Sequence, residues 1–326
     1  MIRLTAIATG PYYSSMQTQK STNASISIII PALNEAKTIG TLTAALKQLD
    51  VVGEIIVVDD CSSDKTGKAA AENGAYVIRH PYPMGNGAAI KTGIRAASGN
   101  ILVFMDGDGQ HDPADIVGIV DALNHYVMVV GARNSLQQAS WARRLMNGIY
   151  NRLASYVSGF PIADLTSGFR ALRTETACQL LPLLPNGYSW PTTSTLVLLR
   201  SGLSVHYQPI NARPRQSGSS RIRPVQDGLR FFMIILKICT LYSPFRIFLP
   251  VSGAMFLLGA ANYAYTYATT GRFTNMSALM FSVAVIIFMM GLISEQISQI
   301  SLLRQQMHPG GSNANRDAGH GSDNAD

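Results

Sequence analysis

An α/β fold on a mostly parallel sheet, followed by two membrane-spanning helices, is the architecture this sequence predicts. Three observations predict it. From residue 26 to about 209, short β-branched runs alternate with amphipathic stretches. The runs lack polar alternation, the pattern of strands buried on both faces and covered by helices. Further on, two uncharged stretches, 247–267 and 276–294, each approach the roughly 20 residues that a bilayer-spanning helix needs.

Residues 1–24 mix Ser, Thr, Gln and Tyr with short apolar pieces. They lack a basic start followed by a continuous apolar stretch, so they read as a disordered extension rather than a secretory leader. Strands are expected at 26–30, 54–58, 76–78, 101–105 and 127–130, and helices between them at 38–49, 65–73, 88–97 and 113–123. A helix over 142–157, a short segment at 169–172, a helix within 174–183 and a strand at 205–209 complete the globular domain, which is bounded at 25–215. The next stretch, 216–243, reads as a basic linker and an amphipathic helix lying on a bilayer surface, or alternatively as an ordinary surface helix. A transmembrane hairpin (244–304) and a Gly-, Ser-, Asn- and Asp-rich disordered tail (305–326) follow.

Composition agrees. Of 326 residues, 47% are hydrophobic and only 14% charged, as expected of a globular part joined to a membrane-embedded one. A net charge of +7 admits nucleic acid, anionic lipid or phosphorylated partners. Placement decides between them: Arg221, Arg223, Arg230, Lys237 and Arg246 precede the hairpin and Arg304 follows it, so membrane lipid is the expected partner and nucleic acid is not. The same placement puts both ends of the hairpin, and with them the globular domain, in the cytoplasm. Glu295, at the end of the second span, is expected to reach an Arg or the interface, or to be a solvated acid. The three scattered cysteines read as reduced thiols.

The chemistry is expected at the strand ends. After the fourth strand comes Asp106-Gly107-Asp108-Gly109-Gln110. In extended backbone alternate side chains share a face, so Asp106, Asp108 and Gln110 can converge. Three hard oxygen donors there suit Mg²⁺ or Mn²⁺ carrying a phosphorylated ligand; an acidic turn is the plainer alternative. The first strand ends in Pro31-Ala32-Leu33-Asn34-Glu35, with Asn34 placed to cap the next helix or contact a ligand. The second ends in Asp59-Asp60, and Ser63 or Asp64 could cap the helix after it. The run Gly85-Asn86-Gly87 to Lys91-Thr92-Gly93 fails as a triphosphate loop, because Ile90 stands where that loop needs Gly. It remains a helix start whose small residues permit close packing near a phosphorylated ligand.

In this order, with Asp164-Leu165-Thr166-Ser167-Gly168-Phe169-Arg170, these segments resemble the family 2 glycosyltransferases. The resemblance is to the polyprenyl-phosphate branch, dolichyl-phosphate mannosyltransferase-like enzymes and their bacterial undecaprenyl-phosphate relatives. It spans about 26–223 and, through the hairpin, nearly the whole chain. It implies a GT-A fold and inverting transfer of one sugar from a UDP- or GDP-linked donor to a polyprenyl phosphate at the inner membrane. Asp106, Asp108 and Gln110 are then the Mg²⁺ or Mn²⁺ ligands. Pro31, Ala32, Asn34, Glu35, Asp59, Asp60 and Lys91, with Asp106 and Gln110, are the nucleotide-sugar contacts. Asp108, Asp164, Arg133 and Arg170 are the catalytic set, with Asp164 as an orienting group or a base. Arg133, Ser167, Arg170, Arg213, Arg215 and Arg221 are expected at the acceptor phosphate, since arginine donates two bonds to it.

The segment 188–195 departs from the family in lacking an acidic residue, and the Gln-x-x-Arg-Trp pattern of processive synthases is absent, which favours single-sugar transfer. Transfer to a glycolipid or polysaccharide, and a catalytically silent membrane scaffold, are the competing readings. Relatives of this kind can assemble into homo-oligomers, but no residue here sets a number.

Overall fold

The computed structural model describes residues 25–133, 141–187, 189–210 and 244–306. They fall into two compact units, divided near position 232. The expectations for 1–24, for the interfacial helix within 216–243, for Arg213, Arg215 and Arg221, and for all but the start of the tail lie outside the described residues.

The first unit is built on one seven-stranded sheet: β1 (Ile26–Ala32), β2 (Val52–Asp59), β3 (Tyr76–Arg79), β4 (Ile101–Phe104), β5 (Met128–Arg133), β6 (Arg170–Arg173) and β7 (Val205–Ile210). Their order is β3-β2-β1-β4-β6-β5-β7. Helices α1 (Ile39–Lys47), α2 (Thr66–Glu72), α3 (Asn86–Ala96), α4 (Asp115–Ala122), α5 (Trp141–Ser158), α6 (Thr174–Leu180) and α7 (Trp190–Arg200) connect the strands. β1 is buried along its whole length. Its alternate residues serve opposite faces: Ile28 and Ile30 join Ile39, Leu42, Ile116 and Ile119 in the larger core, whereas Ile29 lies against Gly93 of α3, on the side where Ile56 and Val58 of β2 pack with Ala89. The expected elements are present with ends shifted by a few residues.

Two features depart from expectation. β6 runs antiparallel to both neighbours, Arg170 pairing with Phe104 and Arg173 with Ile101. Its N-terminal end therefore lies at the carboxyl end of β4, and the loop before it joins the Asp106 segment. α7 was not expected, because its Thr192-Thr193-Ser194-Thr195 run has poor helix propensity. Pro191 suits its first turn, Thr193 and Ser194 hydroxyls donate to the carbonyls of Ser189 and Pro191, and the whole run is buried.

The second unit is a helical pair, α8 (Phe245–Thr270) and α9 (Asn275–Gln306). Phe245–Thr270 and Asn275–Ser298 are long and apolar enough to cross a bilayer, and their side chains are mostly exposed. Gly271 turns the chain in the left-handed conformation at φ 64°. The helices approach closely where Gly291 meets Phe248; a Cβ there would lie 2.7 Å from the Phe248 Cβ. Ser252 donates to the Ala284 carbonyl at 2.8 Å, and Ser277 to Asn262 Oδ1 at 2.9 Å, so polar groups within the pair are satisfied. The Glu295 carboxylate accepts from the Phe245 amide at 3.4 Å, at the start of α8.

Candidate active site

The carboxyl ends of β1 and β2 are stitched into one surface. Asn34 holds a left-handed φ of 58°, and its Oδ1 accepts from the Ser63 amide (2.8 Å) and hydroxyl (3.1 Å). The Asn34 and Glu35 amides donate to the Ser62 and Thr66 hydroxyls, both at 2.9 Å. Asn34 is thus a clamp between loops and caps no helix; α1 has no side-chain cap. Asp64 accepts from the Thr66 amide and hydroxyl at the start of α2. Burial raises its pKa, but these bonds and the Ala36 amide outweigh that and lower it overall. Pro31, Ala32 and Asp59 are buried, and Asp59 accepts from the Ser62 amide at 2.8 Å and faces Arg79 at 3.4 Å.

Asp60 and Lys91 are engaged elsewhere than expected. The Asp60 carboxylate binds His80 Nδ1 (2.8 Å) and the amides of Met84 (2.7 Å) and Gly85 (2.9 Å). His80 Nε2 in turn faces the Thr92 hydroxyl at 3.0 Å, so this buried network ties β2 and β3 to α3. The Lys91 ammonium donates to the Leu184 carbonyl. The start of α3 is no phosphate cradle: the Asn186 carbonyl accepts from the Ala88 amide at 3.1 Å. A Cβ on Gly87 would lie 2.1 Å from the Pro185 carbonyl oxygen, so the small residues serve packing of the 184–187 loop. Trp190 Nε1 seals it by donating to Asn86 Oδ1 at 2.8 Å.

Past β4 the backbone does not stay extended. Residues 107–109 turn, with Gly109 at φ 74°, and the Gln110 amide donates to Asp108 Oδ1 at 3.1 Å. Alternation along a strand therefore cannot gather Asp106, Asp108 and Gln110. The fold brings in a second segment instead. Gly168 presses on Asp106 so closely that a Cβ there would lie 2.7 Å from Oδ2. Asp164 is buried and accepts from Arg133 Nε (2.9 Å), Arg133 Nη2 (3.3 Å) and the Thr166 and Ser167 amides (3.0 and 3.1 Å). Asn151 of α5 fixes this loop by donating to the Ala163 carbonyl and accepting from the Leu165 amide.

Electrostatics show what converges. Burial disfavours the Arg133 charge, yet Asp164, Asp106 and Asp108 together raise its pKa. Burial likewise pushes the Asp164 carboxyl up, but Arg133 and the loop hydrogen bonds hold it below the usual carboxylate range. Asp164 pairs directly with Arg133, and Asp106 and Asp108 are near enough to favour its charge. Its Nη1 has no protein partner among the described residues. The Ser167 hydroxyl is buried without a partner among them.

Arg170, expected at an acceptor phosphate, is wholly buried and faces inward. It donates to the carbonyls of Ser167 and Pro191, and to the hydroxyls of Ser194 (2.7 Å) and Thr195 (3.1 Å), and lies 5.0 Å from the Trp190 ring centre. Burial beside neutral partners lowers its pKa to about 10. It positions the 164–169 loop against α7. Its place on β6, pairing with buried Phe104, was the signal for an interior role.

Sequence reasoning gave no role to His111 or Thr166. His111 is buried, stacks on Phe169 with ring centres 4.9 Å apart, and sets Nε2 3.7 Å from Asp106 Oδ2. Thr166 accepts from Arg133 Nη2 at 3.0 Å.

The donor set can be tested against a divalent cation. Among the described residues no three His, Cys, Asp or Glu side chains cluster closely enough to cage a metal alone. Two carboxylates at the carboxyl end of the sheet fit Mg²⁺ or Mn²⁺ shared with a phosphorylated ligand, since these ions commonly take one or two carboxylates and complete their shell with substrate phosphates.

Comparison with known proteins agrees in extent with the two units. Residues 27–179 match the family model for glycosyl transferase family 2, and residues 243–300 match that for the GtrB C-terminal hairpin. The undecaprenyl-phosphate 4-deoxy-4-formamido-L-arabinose transferase of Pseudomonas fluorescens is 30% identical over 72% of this chain and 70% of its own. The undecaprenyl-phosphate mannosyltransferase of Micrococcus luteus is 28% identical over 60% of this chain and 86% of its own. In fold, the chain is similar to glucosyl-3-phosphoglycerate synthase from Mycobacterium tuberculosis, solved with Mn²⁺, UDP-glucose and phosphoglyceric acid. That likeness has a TM-score of 0.55 at 23% identity, over 66% of this chain and 80% of the other.

Proposed function

The chain belongs to glycosyl transferase family 2, and on that premise we propose that it moves one sugar from a nucleotide-diphosphate donor to a polyprenyl phosphate. The observation that carries this reading is the meeting of two segments at the carboxyl end of β4, where Gly168 presses on Asp106 and the same loop pairs Asp164 with Arg133. Strand ends of this kind are where α/β sheets take nucleotides. The undecaprenyl-phosphate transferases among its relatives supply the acceptor class.

Asp106 and Asp108 would hold the Mg²⁺ or Mn²⁺, with Gln110 in the turn beside them, and the donor diphosphate would complete its shell. Bound there, the cation supplies Lewis-acid neutralisation of the departing nucleoside diphosphate. Pro31, Ala32, Asn34, Glu35 and Asp59 line the neighbouring strand ends and form the nucleoside side of the site. The acceptor phosphate oxygen bonds to the anomeric carbon as the bond from that carbon to the donor phosphate breaks, with inversion. A phosphate monoester has its second pKa near 6, so the nucleophile arrives as an anion and needs no strong base. Asp164, held ionised by Arg133, acts by orienting that arginine. Arg133 Nη1 and the Ser167 hydroxyl meet the acceptor phosphate, the guanidinium offsetting repulsion between two anionic substrates. The apolar hairpin keeps the enzyme at the membrane that contains the lipid, and the basic residues flanking it support a cytoplasmic position for both termini.

The test is a donor panel. Membranes containing the chain are incubated with UDP- and GDP-sugars and undecaprenyl phosphate, and the organic extract is read by mass spectrometry. A glycosyl phosphopolyprenol absent from Asp108→Asn membranes supports the proposal. Sugar incorporated only into polysaccharide or glycolipid, or no transfer from any donor, overturns it.

A further inference from the structure

We propose that His111 is the positioning residue for Asp106, setting the carboxylate in the orientation that receives the divalent cation; this rests on the cation reading of Asp106 given above. His111 follows directly on the Asp106–Gln110 segment and is only 3% exposed. Its ring stacks on Phe169, itself fully buried, whose carbonyl is bound by the Gly131 amide at 2.9 Å. The ring is therefore anchored by packing, not by hydrogen bonds: Nδ1 is buried and has no partner among the described residues. Leaving a buried ring nitrogen unsatisfied costs free energy that a phenyl ring in the same space would avoid. Core packing alone gives the fold no use for those nitrogens. The acidic group within ion-pair distance of Nε2 is Asp106, at 3.7 Å.

Asp106 is restrained from a second direction. Gly168 lies against both its oxygens, and a Cβ there would sit 2.7 and 2.9 Å from them. The carboxylate thus lies in a slot between the Gly168 backbone and the His111 imidazole. Both contacts lead to Phe169, one by covalent continuity and one by stacking, so the strand-end loop and the loop before β6 set one rotamer together. Ligating carboxylates are commonly held by such outer partners, whose loss costs roughly 10- to 100-fold in metal affinity.

The experiment measures Mn²⁺ affinity, with and without UDP, by the loss of the free-ion electron paramagnetic resonance signal. It uses full-length wild type, His111→Phe, His111→Gln and Asp106→Asn in detergent, with thermal unfolding of each. His111→Phe is expected to keep or raise the unfolding temperature and to bind Mn²⁺ about 10- to 100-fold more weakly. His111→Gln, whose amide still donates toward Asp106, is expected to recover part of that loss. Wild-type affinity in His111→Phe, beside a clear loss in Asp106→Asn, overturns the positioning role. Equal binding by wild type and Asp106→Asn instead overturns the cation reading itself. If His111→Phe does not fold, His111→Met replaces it, with the same expected loss and the same refuting result.

Discussion

Replacing Asp164 by Ala is the sharpest perturbation of the site loop. Its carboxylate is buried and accepts two bonds from Arg133 side-chain nitrogens and two from loop amides. The Arg133 side chain is itself only 26% exposed, so its charge would be left largely without compensation. Breaking a buried pair from one side costs about 3–5 kcal/mol. For a unit of this size 1 kcal/mol shifts the unfolding temperature by roughly 2–4 °C, which gives a loss of about 6–20 °C. Fluorescence of buried Trp190 or near-ultraviolet circular dichroism of the purified chain follows it. Arg133→Met combined with Asp164→Asn should cost less than the two single changes added, since no buried charge remains.

The pH dependence has a definite sign. The folded-state pKa of Asp164 is depressed, so its contribution is present above the unfolded value near 3.9 and is lost as pH falls through the folded value. The gap between wild type and Asp164→Ala is therefore flat from about pH 5 to 8 and narrows in stronger acid. A loss under about 1 kcal/mol at pH 7, or a gap that widens in acid, refutes the reasoning.

Asp108→Asn should reduce radiolabelled lipid product at least about 100-fold while leaving the unfolding temperature nearly unchanged, because it removes cation binding and not packing. Arg170→Ala should cost about 3–5 kcal/mol by stranding the groups it bonds on α7. At temperatures where it is folded, its acceptor KM should stay within about twofold, whereas a large KM rise without destabilisation would restore Arg170 to the acceptor site. Gly87→Ala, whose Cβ would collide with the Pro185 carbonyl, should destabilise by about 1–3 kcal/mol. Gly148→Ala, with nothing within 4 Å in mid-helix, should stabilise by up to about 1 kcal/mol; urea titration of both checks the contrast.

Much of this architecture is legible along the chain. The short apolar runs at 26–30 and 101–105, bounded by turn residues, read as buried strands, and the uncharged stretches near the C-terminus read as long apolar helices. Asp106 and Asp108 were recognisable because acidic residues directly after a buried strand place charge at the ligand edge of a sheet. The reading failed where a role depended on distant partners. Arg170 looked like an anion ligand but is the interior donor for α7. No element was expected over the Thr-rich α7, whose polar groups are satisfied by that arginine and by its own carbonyls. The small residues of 85–88 fit a loop about a hundred positions away, and Gly93 fits Ile29 of β1.

The sequence by itself determined the sheet, the hairpin and the presence of an acidic strand end, since each is set by local burial of apolar surface and recurs at a readable spacing. Only the tertiary structure decided which residues share the site. Reversal of β6 carries the 164–169 loop to the end of β4, joining Asp164 and Arg133 to Asp106 and setting Gly168 and His111 around that carboxylate. That assembly rests on pairings between segments tens of residues apart, whose free energy depends on which neighbours desolvate and satisfy each charge, and no periodicity along the chain records them.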